Sequence, residues 1–413
     1  MIRRLPAVSL LLAIGTGALA ATTTCQFEPV PPGTEKIGRW IDKSNWLAVE
    51  YQRLTLQSGE VFMPARRMAP FGDGQTTAAK QRALDDVPVV DPLDGSRRDL
   101  RFLLDSRLYA DGLIVLRNGR IVSERYRNGL TPDKPRLLLE ASRPLLNLLG
   151  SISISQGKLS ADKSVGRFLP GQTASAGLRK LSIQRLLESE EQFAWTSEDL
   201  AAWRQAAGWN SKQDGDGIRA WLAQPGRWDK PMRERETHVP GAAPEDDLLA
   251  WVLAESHAMP LSQLFCEQLL IRARPEHAVV WLTDSQGVEL ATGLGLSLRD
   301  FSKLGQMLVD ARSGRNRGKI PAWFVETLTA SSGLRIQEIK GLPKGSEQRY
   351  GFVHLGGALN RVALIGTHGT SLYIDFDKRL VVALFASRPG ENTPGMLASL
   401  EQAWKAIDQA GTQ

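Results

Sequence analysis

Gly112-Leu-Ile-Val-Leu-Arg-Asn-Gly-Arg-Ile-Val-Ser-Glu-Arg-Tyr126 is the stretch on which the fold turns. Apolar and β-branched residues run up to the pair Asn118-Gly119 and resume after it, and Asn-Gly supplies the two left-handed backbone positions that a tight hairpin requires. The segment reads as a β-hairpin that starts a sheet. Downstream the pattern becomes mostly helical, over Leu137 to about Gly157, Leu181 to Glu190, Glu198 to Ala206 and Leu248 to Ile271. Strand patterns return at Arg361 to Ile365, Ser371 to Asp375 and Leu380 to Ala386. A closing helix, about Gly395 to Gln409, sets Leu397, Leu400, Trp404 and Ile407 on one face, as a helix covering a sheet does. Strands drawn from both ends of the chain around a helical insertion predict an α/β (α+β) fold. An antiparallel sheet flanked by helices is expected, with a mostly helical subdomain at about residues 137–340.

Working outward, Pro29, Pro31, Pro32, Gly33 and Phe71-Gly-Asp-Gly74 break any period between Cys25 and about Arg98. Residues 21–98 therefore read as an irregular N-terminal extension on a main domain at 99–413. Before it, Arg3 and Arg4, the apolar run Leu5 to Ile14 and Ala18-Leu-Ala20 give the charged, apolar and small-residue order of a secretory signal. Residues 1–20 are expected to be removed, leaving a periplasmic or secreted protein with no membrane span; an uncleaved anchor is the alternative. The mature chain then carries 49 basic against 45 acidic side chains, a formal charge of +4. These charges are interspersed, so a solvated surface is expected and nucleic-acid binding is not. Cys25 and Cys266 fit either one disulfide or two separate thiols. No Cys/His spacing suits a metal, and no cofactor is expected. Asp214-Gly-Asp-Gly217 has too few ligands in register for calcium and reads as a turn. Trp195, Trp203, Trp209, Trp221 and Trp228 crowd the helical insertion, where core packing is the better reading than ligand stacking.

Several segments repeat the motifs of one family in order and spacing. After Gly112 to Tyr126 come Thr131-Pro-Asp133, Gly157-Lys-Leu-Ser-Ala-Asp162, Phe168-Leu-Pro170, Leu181-Ser-Ile-Gln-Arg-Leu-Leu187, Trp251-Val-Leu253 and Leu298-Arg-Asp-Phe301. Tyr350-Gly-Phe352 and Gly366-Thr-His-Gly-Thr-Ser-Leu-Tyr-Ile-Asp375 follow. From Asp91 to the C-terminus the chain resembles the serine β-lactamase-related, penicillin-binding-protein-like family, of the class C β-lactamase and 6-aminohexanoate-dimer hydrolase type. The resemblance implies a β-lactamase/transpeptidase-like fold and a small amide, peptide or peptidoglycan-like ligand.

The resemblance also implies which positions matter. The family's Ser-x-x-Lys sits at the start of a buried helix, where the amine takes the hydroxyl proton and backbone N–H groups hold the oxyanion. Counting from Thr131-Pro-Asp133 and from Gly157 places the serine on Glu140 and the lysine on Arg143. A carboxylate cannot be acylated as a hydroxyl is, and a guanidinium does not give up its proton. The family's tyrosine falls on Gly241, and no tyrosine occurs between Arg127 and Arg349. The third motif survives best, as Gly366-Thr367-His368-Gly369, with His368 titrating near neutrality and Thr367, Gly369 and Ser142 as pocket residues. Two literal Ser-x-x-Lys matches, Ser155 to Lys158 and Ser160 to Lys163, lie at and after the helix end and read as accidental. Glu140 and Arg143, three apart on a helix, are expected to pair with each other.

Three readings follow. The first is a catalytically impaired relative that keeps its cleft for binding, since nucleophile, base and phenol act as a unit. The second is an active amidase, esterase or β-lactamase-like hydrolase using Ser142 or Ser189 with His368 as base. The third is an envelope scaffold. Fold alone does not choose among them.

Overall fold

The computed structural model describes residues 25–33, 37–71, 82–171, 175–189, 191–209, 215–234, 242–315, 319–330, 339–357 and 360–410. Asn118 and Gly119 both take left-handed backbone angles, with φ of 53° and 78°, so the turn has the form that the Asn-Gly pair favours. Ala110–Arg117 and Arg120–Tyr126 pair antiparallel on either side of it.

A seven-stranded antiparallel sheet grows from this hairpin, in the order Glu347–Arg349, Phe352–His354, Arg361–Ile365, Ser371–Asp375, Leu380–Ala386, Ala110–Arg117, Arg120–Tyr126. Leu380 lies opposite Arg117 and Leu384 opposite Leu113, so the two ends of the main domain meet inside one sheet. Leu380–Ala386 is buried along its whole length, which explains its unbroken apolar run: both faces are covered. Pro394–Ala410 covers one face with Leu397, Leu400, Trp404 and Ile407, and Trp404 stacks on Tyr373 at 5.1 Å. Leu298–Arg312 covers the other, where Phe301 stacks on Phe385 at 5.6 Å. Gly305 permits that close approach, because a Cβ there would lie 2.7 Å from the Val381 side chain.

The N-terminal extension is more ordered than its sequence suggests. Glu28–Val30 and Ala65–Met68 are strands of a second, five-stranded sheet, in the order Glu28–Val30, Ala65–Met68, Val279–Thr283, Glu289–Leu296, Arg136–Leu137. Strands this short carry no readable alternation; their register is set by partners, as with Val279 opposite Met68. Val279–Thr283 and Glu289–Leu296 fall inside the stretch expected to be mostly helical. Buried throughout, they present the continuous apolar pattern that periodicity alone does not separate from helix.

The helix expected over Leu248 to Ile271 is also interrupted. Pro244–His257 stops at Ala258, which has φ of 52°, and Leu261–Phe265 begins after Pro260. The tryptophans of this region are packing residues: Trp203, Trp209, Trp221 and Trp228 are buried, and Trp228 meets Phe193 and Trp195 edge-on at 5.1 and 5.3 Å. Lys158 is exposed beyond Gly157, and Lys163 pairs with Asp162 at 2.9 Å. Among the described residues, no helix is long and apolar enough to cross a membrane.

Cys25 and Cys266 form a disulfide across a sequence separation of 241. It fastens the extension to the helical region, with Cys266 fully buried. Constraining the unfolded chain over so long a loop stabilises the fold by up to about 5 kcal/mol in the chain-entropy model. Thermal melts with and without a thiol reductant, and of Cys25→Ser, are expected to show the reduced protein and the variant melting together, several degrees below the oxidised protein. Identical midpoints in all three would contradict the bridge.

Candidate functional site

Three backbone segments converge where the sequence placed the altered motifs. Arg136–Leu137 is held as an edge strand against Leu296 and Gly295. The chain then turns sharply, with Leu139 at φ of 49°, through the 3-10 turn Leu139–Ser142 into the helix Arg143–Ser155. Pro144, in the first turn, has no helical hydrogen bond to lose there. Gly366, at the end of Arg361–Ile365, presses against this turn: a Cβ on it would stand 2.8 Å from Ala141 N and Cβ. The loop Thr367–Gly369 follows directly. His368 and Gly369 both have positive φ, 63° and 88°, and the His368 Nδ1 lies 2.9 Å from the Arg388 carbonyl. A carbonyl only accepts, so Nδ1 carries the proton and Nε2 is the lone-pair nitrogen of the neutral ring. Glu140 and His368 are close enough for the carboxylate charge to act on the ring, and Thr367 and Gly369 flank His368 in the same loop.

A buried cation fixes this wall. Arg136, 1 % exposed, donates from Nη1 to Thr370 Oγ1 at 2.9 Å and from Nη2 to Ser387 Oγ at 3.0 Å and to the Ala386 carbonyl. Asp111, fully buried, lies 3.7 Å away and accepts from Asn128 and Ser387. The guanidinium therefore joins the strand before the Glu140 turn to one end of the His368 loop, at Thr370, and to the end of the strand Leu380–Ala386. Burial lowers its pKa to about 10, still far above neutrality.

Arg143 does not pair with Glu140. Its Nε lies 3.0 Å from Asp246 Oδ1, and its Nη2 donates to Ser189 Oγ. The Asp246 contact is a charge pair without the alignment of a hydrogen bond, and Arg143 Nη1 has no partner among the described residues. The i, i+3 rule applies within a regular α-helix, and this one begins at Arg143, so Glu140 sits in the preceding turn rather than on the same face. The Glu140 side chain makes no hydrogen bond or ion pair among the described residues, and its Oε2 is shielded from solvent. Gly241 lies outside the described residues.

Ser142 is fully buried with an unpartnered Oγ, and Ser189 is 2 % exposed. Ser189 sits at φ of 62°, with its hydroxyl held by Arg143 and by the Leu186 carbonyl. Neither serine makes a hydrogen bond with His368. The arrangement that a serine hydrolase using either of them would need is not formed.

Asp246 is the decisive residue that sequence reasoning missed. Glu245-Asp-Asp247 precedes an apolar run and reads as the solvated acidic first turn of a helix. All three are buried, each with a task. Glu245 accepts from Phe193 N at 2.7 Å and from the Trp195 indole. Asp246 accepts from Ala243 N at 3.0 Å while meeting Arg143. Asp247 accepts from Trp203 Nε1 and Ala291 N, both at 2.8 Å. Burial raises Asp247 from the ordinary 3.8 to about 7. The same effect lowers His368, against the pull of the Arg388 carbonyl and of the Glu140 charge.

No family model matches the chain. A 6-aminohexanoate-dimer hydrolase of Paenarthrobacter ureafaciens is 24% identical over 362 residues, which span 82% of this chain and 91% of that protein. A Bacillus anthracis structure assigned as a 6-aminohexanoate-dimer hydrolase matches with a TM-score of 0.74 at 18% identity, over 92% of this chain and 98% of the other. An octameric penicillin-binding protein homologue from Pyrococcus abyssi matches with a TM-score of 0.53 at 14% identity, over 76% of each chain. The fold is that of β-lactamases and transpeptidases: an antiparallel sheet flanked by helices, with a helical region beside it. The chain is thus similar in sequence to a 6-aminohexanoate-dimer hydrolase and shares its fold with β-lactamase-related, penicillin-binding-protein-like proteins.

The buried Asp247 gives a pH signature. The folded carboxyl keeps its proton to about pH 7, while an unfolded aspartate releases it near 3.8. Its contribution to stability is therefore full below about pH 4 and is lost as pH rises toward 7, by up to about 4 kcal/mol. Denaturant unfolding of Asp247→Asn between these limits is expected to lack that downward slope, at some loss of absolute stability where the amide meets an N–H donor. Parallel pH profiles for wild type and variant would refute the assignment.

Proposed function

We propose that this protein is an exported, non-acylating member of its family that uses the cleft between Glu140 and His368 to bind a ligand. One observation carries the reading: the carboxylate at the nucleophile position is unpaired, while the arginine at the lysine position is locked onto Asp246 and Ser189. Neither group can make or accept an acyl chain in the family's manner, and a guanidinium at Arg143 stays protonated and so cannot take a proton from a nucleophile. The residues that would have replaced them, Ser142 and Ser189, are buried and face other partners. The Cys25–Cys266 bridge supports an oxidising location, in keeping with the signal-like N-terminus. A small amide or peptide-like ligand is the class suggested by the relatives' names, one of which is a 6-aminohexanoate-dimer hydrolase.

Incubation with a penicillin or a fluorophosphonate, followed by intact-protein mass spectrometry, tests this directly. The chain is expected to keep its unmodified mass. A stoichiometric adduct on any serine would overturn the non-acylating reading.

A further inference from the structure

We infer that the cleft receives a cationic group, of the primary-ammonium type, against the Glu140 carboxylate. This deepens the binding role proposed above and rests on it. The case is one of charge and hydrogen-bonding sense at the floor of the cleft. Two guanidinium groups lie nearby, and each stands by a buried carboxylate: Arg143 by Asp246 at 3.0 Å, and Arg136 by Asp111 at 3.7 Å, a carboxylate that also pairs with Arg53 at 3.0 Å. The Arg388 guanidinium is engaged by the Pro389 and Glu391 carbonyls at 3.2 and 3.1 Å. Glu140 is left as a carboxylate with no ion pair among the described residues and with one oxygen removed from solvent.

The surrounding groups offer acceptors. Asn392 donates through Nδ2 to the Gly366 carbonyl at 3.2 Å, which leaves Oδ1 without a partner. Gly366 is the residue pressed onto the Glu140 turn, so this acceptor belongs to the same floor. His368 gives its Nδ1 proton to Arg388, and burial keeps the ring neutral, so its Nε2 is also an acceptor. An ionised carboxylate out of water is costly unless paired. Its position before the helix Arg143–Ser155 relieves part of that cost through the helix dipole, without supplying a donor. A ligand ammonium brings one positive charge and three donors, matching one unpaired carboxylate and two acceptors. A ligand carboxylate would meet like charge at Glu140.

The test uses the full-length mature protein and three probes of equal length: n-butylammonium, butyrate and n-butanol. Binding is followed by NMR titration, for wild type and for Glu140→Gln. Glu140 has no partner to lose, so the variant is expected to fold; a thermal melt verifies this, and Glu140→Asp, which keeps the charge, serves as a second variant. The expected result is saturable binding of n-butylammonium only, weakened at least about tenfold in Glu140→Gln, largely retained in Glu140→Asp and reduced by added salt. Preference for butyrate, equal binding of all three probes, unchanged affinity in Glu140→Gln or no saturable binding would each overturn the inference. The mass measurement on the same preparation separates the two levels. An acyl adduct refutes the non-acylating role, whereas an unmodified protein that ignores n-butylammonium refutes only the cation.

Discussion

A guanidinium that is 5 % exposed must be neutralised where it stands, and the structure around Arg143 follows from that requirement. Asp246 supplies the charge from the facing helix, and Ser189 supplies an acceptor from a residue held in left-handed geometry. Removing one member of such a pair leaves the other buried and alone, at a cost of about 3–5 kcal/mol. The interaction therefore joins the helices Arg143–Ser155 and Pro244–His257 across the helical side of the cleft. It also keeps the Arg143 charge engaged. A lysine in this setting could shed its proton and then take that of an attacking hydroxyl; a guanidinium facing an aspartate stays protonated and cannot act as that base.

Arg136 does for the sheet side what Arg143 does for the helical side. Its hydrogen bonds to Thr370, Ala386 and Ser387 tie the strand before the Glu140 turn to one end of the His368 loop and to the end of the strand Leu380–Ala386. The two walls are thus each braced by a buried arginine with a buried aspartate. Between them Glu140 is left without a partner of its own.

Much of this was legible in the sequence. The Asn118-Gly119 turn, the return of strands after Arg361 and the face of Leu397, Leu400, Trp404 and Ile407 each follow from short-range rules, and the structure contains all of them. The positions Glu140, Arg143 and His368 come from the resemblance alone; in the structure the turn that carries Glu140 packs on Gly366, next to His368, and leads into the helix that begins at Arg143. The second sheet was not legible, because Glu28–Val30 and Ala65–Met68 are too short to show alternation and Val279–Thr283 is buried on both faces. The partner of Arg143 was misassigned for a related reason. Spacing rules describe neighbours along one helix, whereas Asp246 reaches Arg143 from an element a hundred residues away in sequence, carried there by tertiary packing alone.

The most direct test of the central claim, that Arg143 is held by Asp246 and leaves Glu140 unpaired, is a pair of double-mutant cycles measured by denaturant unfolding. One combines Arg143→Met with Asp246→Leu, and the other combines Arg143→Met with Glu140→Gln. A coupling of about 2–3 kcal/mol is expected in the first cycle and one near zero in the second. Strong coupling between Arg143 and Glu140, with additive behaviour of Arg143 and Asp246, would contradict it.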